Sequence, residues 1–281
     1  MTSIDTTYDI THTSGPKGLA DLVGDTGAFL EEVWALWPAV FHRDTAADFL
    51  TPAEIWAMVD RGLLVHPYFR VVKDGVAVPT ADVSVIRSVQ TKPFPSYADA
   101  DAVRARYADG HTVVLDEAGH WHAGTQVLLD GLRAGLRAEV HASAVLAPPD
   151  TIVVDKDETH VFVVQLAGHA QWQAGEFVVA LAPGDVLYVP AWTPRLAVAA
   201  GDSLHLSLTI TPPTVRDVVT LALASFVNGA DIEQIAGSHH FLTPDAKVAW
   251  LRTALAQHLA ALNPATLTDD AVALRERGGR L

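Results

Sequence analysis

Residues 155–172 read DKDETHVFVVQLAGHAQW. Two carboxylates, Asp155 and Asp157, stand just ahead of VFVVQL at 161–166, and a polar, Gly-containing turn ending at Trp172 follows it. A short apolar run rich in β-branched residues and bounded by polar ones reads as a strand covered on both faces. The flanking sequence repeats the signature, so strands are expected at 139–146, 160–167, 169–173, 177–180, 186–189, 195–199 and 203–210. The turns Ala182-Pro183-Gly184-Asp185 and Ala200-Gly201-Asp202 separate them. Several short strands at this spacing predict a barrel or double-sheet jelly roll.

Working outward, the pattern changes period on both sides. Residues 26–37 carry Phe29, Leu30, Val33, Leu36 and Trp37 at helical spacing, with Pro38 as a stop. Thr51-Pro52-Ala53-Glu54 predicts a helix start with a capping box, ending near Gly62. Residues 69–78 predict a hairpin turning on Asp74-Gly75, because a type I′ turn needs positive φ at both central positions. Helices near 98–107 and 124–136 flank a strand at 111–115. Beyond the barrel, helices are expected at 214–227, 245–262 and 268–277, with Thr243-Pro244 and Thr268 as start signals. The expected division is a tail at 1–24, a barrel with its N-terminal helices at 25–212, and a helical segment at 213–281.

Composition narrows the function classes. With 281 residues and 49% apolar content the chain can bury a full core. A net charge of −14, with no Lys or Arg run, opposes binding to nucleic acid. The absence of cysteine excludes disulfides and thiolate chemistry, leaving His, Asp and Glu as metal ligands. The most apolar helical stretch, VVTLALASFV at 218–227, is about half of a membrane span, and no basic segment leads into an apolar one at the N-terminus. A soluble, cytoplasmic protein without a membrane partner is expected. No Gly-x-Ser-x-Gly elbow, phosphate-binding loop or dinucleotide fingerprint is present.

The pieces FRVVKDG (69–75), YADGHTVVL (107–115), AVLAPPD (144–150), VFVVQLAGHAQW (161–172), LAPGDVLYVPAW (181–192) and SLHLSLTI (203–210) resemble, in order, the JmjC-type cupins of the ribosomal-oxygenase group. The resemblance implies a double-stranded β-helix that, in active relatives, holds iron(II) and 2-oxoglutarate and hydroxylates a protein side chain. Iron is held there by a His-x-Asp pair and a later His, a facial triad with open positions for oxygen chemistry. A Lys in the turn after VFVVQL meets 2-oxoglutarate.

Laid on this sequence without gaps, the His-x-Asp pair falls on Asp155 and Asp157, the later His on Arg195 and the Lys on Ala170. A guanidinium offers a metal no lone pair, and Ala170 offers 2-oxoglutarate no charge. The resemblance therefore implies a degenerate site, with Asp155, Asp157 and Arg195 as its chemical residues and Arg195 standing where the metal's positive charge would be. Trp192, His160, His169 and Ala170 are expected around the pocket. No cofactor is expected on this reading, and the protein would bind a peptide, a protein or a small acidic ligand in the barrel.

Two alternatives stay open. One is an oxygenase using iron(II) and 2-oxoglutarate with a rearranged metal centre of Asp155, Asp157 and His205. The other is a metal-independent acid–base enzyme using Asp155, Asp157 and Arg195. His205 alternates with Leu204 and Leu206 and so faces away from them, toward the barrel interior. His120 and His122 have a spacing that can bind metal, with exposed loop histidines as the plainer reading. The helices beyond 214 lie where the family carries its dimerisation helices, which implies a homodimer.

Overall fold

The computed structural model describes residues 17–44, 49–155, 158–229, 232, 235, 237 and 239–276. The chain divides into two compact units: one holds residues up to Gly135 together with Val140–Ile210, the other holds Leu136–Glu139 and Thr211–Leu281.

The N-terminal part runs α1 (Leu19–Val23), α2 (Thr26–Glu32), β1 (Ala39–His42), α3 (Pro52–Asp60), β2 (Phe69–Lys73) and β3 (Val76–Ala77). The hairpin β4 (Ser84–Val89) and β5 (Lys92–Ala98) follows, then α4 (Ala100–Ala108), β6 (Thr112–Leu115) and α5 (Ala123–Leu136). The strand-rich part comprises β7 (Glu139–Ala147), β8 (Ile152–Asp155), β9 (His160–Ala167), β10 (Ala170–Ala174), β11 (Phe177–Leu181), β12 (Asp185–Val189), β13 (Arg195–Ala199) and β14 (Ser203–Thr211). An eight-stranded sheet of order β1-β12-β9-β14-β7-β6-β2-β3 faces a four-stranded sheet of order β11-β10-β13-β8. The paired strands are antiparallel, which is the jelly-roll arrangement the sequence predicts.

The quoted stretch lies at the centre of this barrel. Along β9, Val161 and Val163 point inward and join Ala170, Trp172 and Ala174 of β10 in one apolar cluster. The alternate residues face outward, where Phe162 meets Phe29 of α2 and Tyr188. Both faces are covered, which is why the run has no polar phase. Each such fully buried side chain contributes about 1.5–3 kcal/mol.

Several predicted details hold. Thr51 caps α3 with the complete capping box, and Asp74 and Gly75 both take positive φ between β2 and β3. Others change. The predicted helix at 26–37 ends at Glu32, because Ala35 turns left-handed at φ 61 and the Trp34 amide donates to the Phe29 carbonyl. This turn lays Trp34 on His160 and Tyr188. Strands β1 and β8 and the hairpin β4–β5 are additional to the prediction.

In the second unit, α6 (Val215–Val227) opens on a Thr214–Asp217 capping box. The helices Pro244–Ala261 and Pro264–Glu276 follow. The last begins earlier than predicted because Asn263, not Thr268, caps it, accepting from the amides of Ala265 and Thr266. Among the described residues no helix is long and apolar enough to cross a membrane.

Candidate functional site in the barrel

Between the two sheets lies a cavity of about 410 Å³. Trp172 and Arg195 line it from the four-stranded sheet, and Arg70, His205, Ser207 and Thr209 from the other. Alternation on β14 puts His205, Ser207 and Thr209 on the same inward face.

Arg195 opens β13, where its register partners are Ala174 of β10 on one side and Asp155 of β8 on the other. Directly opposed residues share one face of a sheet, so positions 155 and 195 are neighbours on it. Arg195 is only 5% exposed. Of Asp155 the backbone alone is described, and Asp157 lies outside the described residues.

Arg70 is held by Asp116 through two hydrogen bonds, Nε to Oδ2 at 2.6 Å and Nη2 to Oδ1 at 2.9 Å. The Ser143 hydroxyl donates to the same carboxylate at 2.9 Å. Sequence reasoning missed this group. Its signal was an Arg in the polar phase of FRVVK and an Asp one residue past the end of the neighbouring strand.

His205 is 4% exposed and packs edge-on against Trp172, ring centroids 5.2 Å apart. Burial pushes its pKa down to about 4, so its ring is neutral near pH 7. Among the described residues neither the His205 ring nor the buried Trp172 Nε1 has a hydrogen-bond partner. Ala170 sits in the apolar cluster beside Trp172 and presents only a methyl group.

The other expected pocket residues do not line this cavity. His160 has the outward phase of β9: its Nδ1 meets the Tyr188 hydroxyl at 2.8 Å and its ring stacks on Trp34 at 4.2 Å. His169 is exposed at the turn after Gly168. Trp192, on a left-handed residue of the loop before β13, is 60% exposed and does not line this cavity. His122 serves α5, accepting from the Thr125 amide at 3.2 Å. No group of three or more His, Asp or Glu suited to a metal occurs among the described residues.

Comparison with known proteins matches residues 174–218, which carry β11, β12, β13 and β14, to the model of the JmjC domain. The chain is 22% identical over 248 residues to the ribosomal protein uL16 3-hydroxylase of Escherichia coli (strain K12), covering 77% of this chain and 59% of that protein. The chain is thus similar to the JmjC-type cupins. The bifunctional lysine-specific demethylase and histidyl-hydroxylase NO66 of Branchiostoma floridae is 32% identical over 126 residues, 43% of this chain and 21% of that one. Among solved structures, the Escherichia coli ribosomal oxygenase YcfD in complex with cobalt and 2-oxoglutarate superposes with a TM-score of 0.55. That match has 18% identity and covers 89% of this chain and 70% of YcfD. The chain thus spans less than two thirds of the curated relatives it matches.

Two residues of this cavity region are poor donors for a metal or an acid: the Arg195 guanidinium has no lone pair to give, and Ala170 carries no charge. His205 packs on Trp172, two positions along β10 from Ala174, the register partner of Arg195.

Proposed function

We propose that this chain is a binding protein whose barrel works without iron or 2-oxoglutarate, with Arg195 supplying the positive charge against the carboxylates at 155 and 157. Arg195 itself carries the reading: a cavity-lining residue, 5% exposed, in register with Asp155. A guanidinium stays protonated even when buried, and its planar fork suits carboxylates. Without a cation, two carboxylates this close in sequence would repel and one would take up a proton. A peptide or protein is the favoured macromolecular partner, since the relatives include an enzyme named for a ribosomal protein.

Elemental analysis of protein purified with and without added iron(II), together with a 2-oxoglutarate-to-succinate assay, tests this. No stoichiometric iron and no turnover are expected. Stoichiometric iron with turnover that Asp157→Ala abolishes would sink the proposal.

An oxygenase with a rearranged centre is the second reading, favoured by a neutral His205 in the cavity and by similarity to a hydroxylase. It requires His205→Ala to abolish iron binding.

Self-association belongs to the same proposal. Val215, Val219, Leu223 and Val227 follow one another at four-residue spacing on α6, and all four are exposed. Such a stripe is a helix-pairing face. Sedimentation should find a dimer that Val219→Glu with Leu223→Glu converts to monomer.

A further inference from the structure

We infer that the barrel cavity takes an uncharged small molecule bearing several hydroxyl or carbonyl oxygens, bound by the Trp172 indole N–H, the His205 ring and the hydroxyls of Ser207 and Thr209, and that it discriminates against dicarboxylates. This rests on the metal-free reading above and gives it a ligand class.

Three observations carry it. First, a volume of about 410 Å³ is that of a small-molecule site. Second, the cavity holds donors and acceptors that the described protein leaves unmatched. Trp172 and His205 are each 4% exposed, and neither the indole N–H nor the imidazole has a hydrogen-bond partner among the described residues. A buried indole N–H is an obligate donor, and a neutral imidazole gives one proton and accepts one. Ser207 and Thr209 lie on the same face of β14. A ligand that both gives and accepts hydrogen bonds, as a hydroxyl does, matches all four groups. A carboxylate only accepts.

Third, the charges are already answered. Arg70 is held two-fold by Asp116, and Asp74 also lines the cavity. A dianion would find one of the cavity's guanidiniums already engaged and a carboxylate in the lining. The position that meets the far carboxylate of 2-oxoglutarate in relatives is the methyl of Ala170, and the histidine beside Trp172 is uncharged. A neutral ligand is therefore favoured over the small acidic ligand, one of the three partners expected from the sequence. Ordered water is the competing occupant, since a polar cavity of this size does not stay empty.

The test follows the Trp172 indole signal in ¹⁵N-labelled full-length protein, assigned with Trp172→Phe. Xylitol, myo-inositol and D-glucose are titrated as neutral probes, and succinate and 2-oxoglutarate as dianions, each with and without Mn(II). A saturable shift with at least one polyol and none with the dianions is expected. Calorimetry should then find that polyol weakened about five- to tenfold by Trp172→Phe, and likewise by Thr209→Val, a milder change that keeps the core. If no polyol moves the signal, the cavity holds water alone and the inference is wrong. If 2-oxoglutarate saturates it without Mn(II), the ligand class is wrong while the metal-free reading stands. If 2-oxoglutarate binds only with Mn(II), the metal-free reading itself has failed.

Discussion

His205 and Arg195 share one cavity, and burial treats them oppositely. The imidazole can shed its charge, and burial pushes its pKa down to about 4 against an ordinary 6.5. The unfolded chain therefore binds this proton more readily than the folded one, so stability rises with pH across that window. The His205 contribution is intact above pH 6.5 and is lost as pH falls toward 4, by about 3 kcal/mol in all. Urea midpoints measured between pH 7 and 4.5 should fall more steeply in the wild type than in His205→Leu. The guanidinium cannot shed its charge, so it must be matched. Arg195→Met should cost about 3–5 kcal/mol by leaving a carboxylate unanswered, and Asp155→Asn in the same chain should restore much of that. Additive losses in the double-mutant cycle would show that the two positions do not interact.

His160 is a third case at this scale. The Ala191 amide points at its Nδ1 at 3.4 Å, and an amide can only donate, so Nδ1 is the accepting nitrogen. The Tyr188 hydroxyl then donates to it while receiving the Ala35 amide at 2.9 Å. Tyr188→Phe removes both bonds and should lower stability by about 1–3 kcal/mol in chemical denaturation.

Elements whose reasons are local were legible in the sequence. The capping box at Thr51, the Asp74-Gly75 turn and the inward phase of His205 are read from neighbours a few residues away, and all three stand as expected. What the sequence concealed depends on distant partners. The helix at 26–37 has the right periodicity throughout, but stacking on His160 and Tyr188, more than a hundred residues on, turns Trp34 out of it. Strand β8 exists because β13 pairs with it, and IVVD alone is too short to announce that. The same limit applies to the site. Position-by-position resemblance located Arg195, whereas Arg70 with Asp116 and the exposure of Trp192 depend on how strands and loops are placed. One turn carries a sharp expectation. Gly168 lies at φ 64 with an added methyl colliding with the Asp202 carbonyl, so Gly168→Ala should cost about 2 kcal/mol or more and lower the melting temperature.

At the scale of the molecule, an acidic chain of net charge −14 encloses a cavity in which a cation belongs to the polypeptide. Chelation is the measurement that follows: the melting temperature in excess EDTA should equal that in iron(II). A bound ion stabilises a fold only in proportion to its free concentration, so a barrel that leans on one weakens whenever supply falls. Arg195 is attached to β13 and cannot dissociate. On the metal-free reading proposed above, its occupancy would be set by translation and not by metal homeostasis, and the barrel would be as complete in an iron-starved cell as in a replete one.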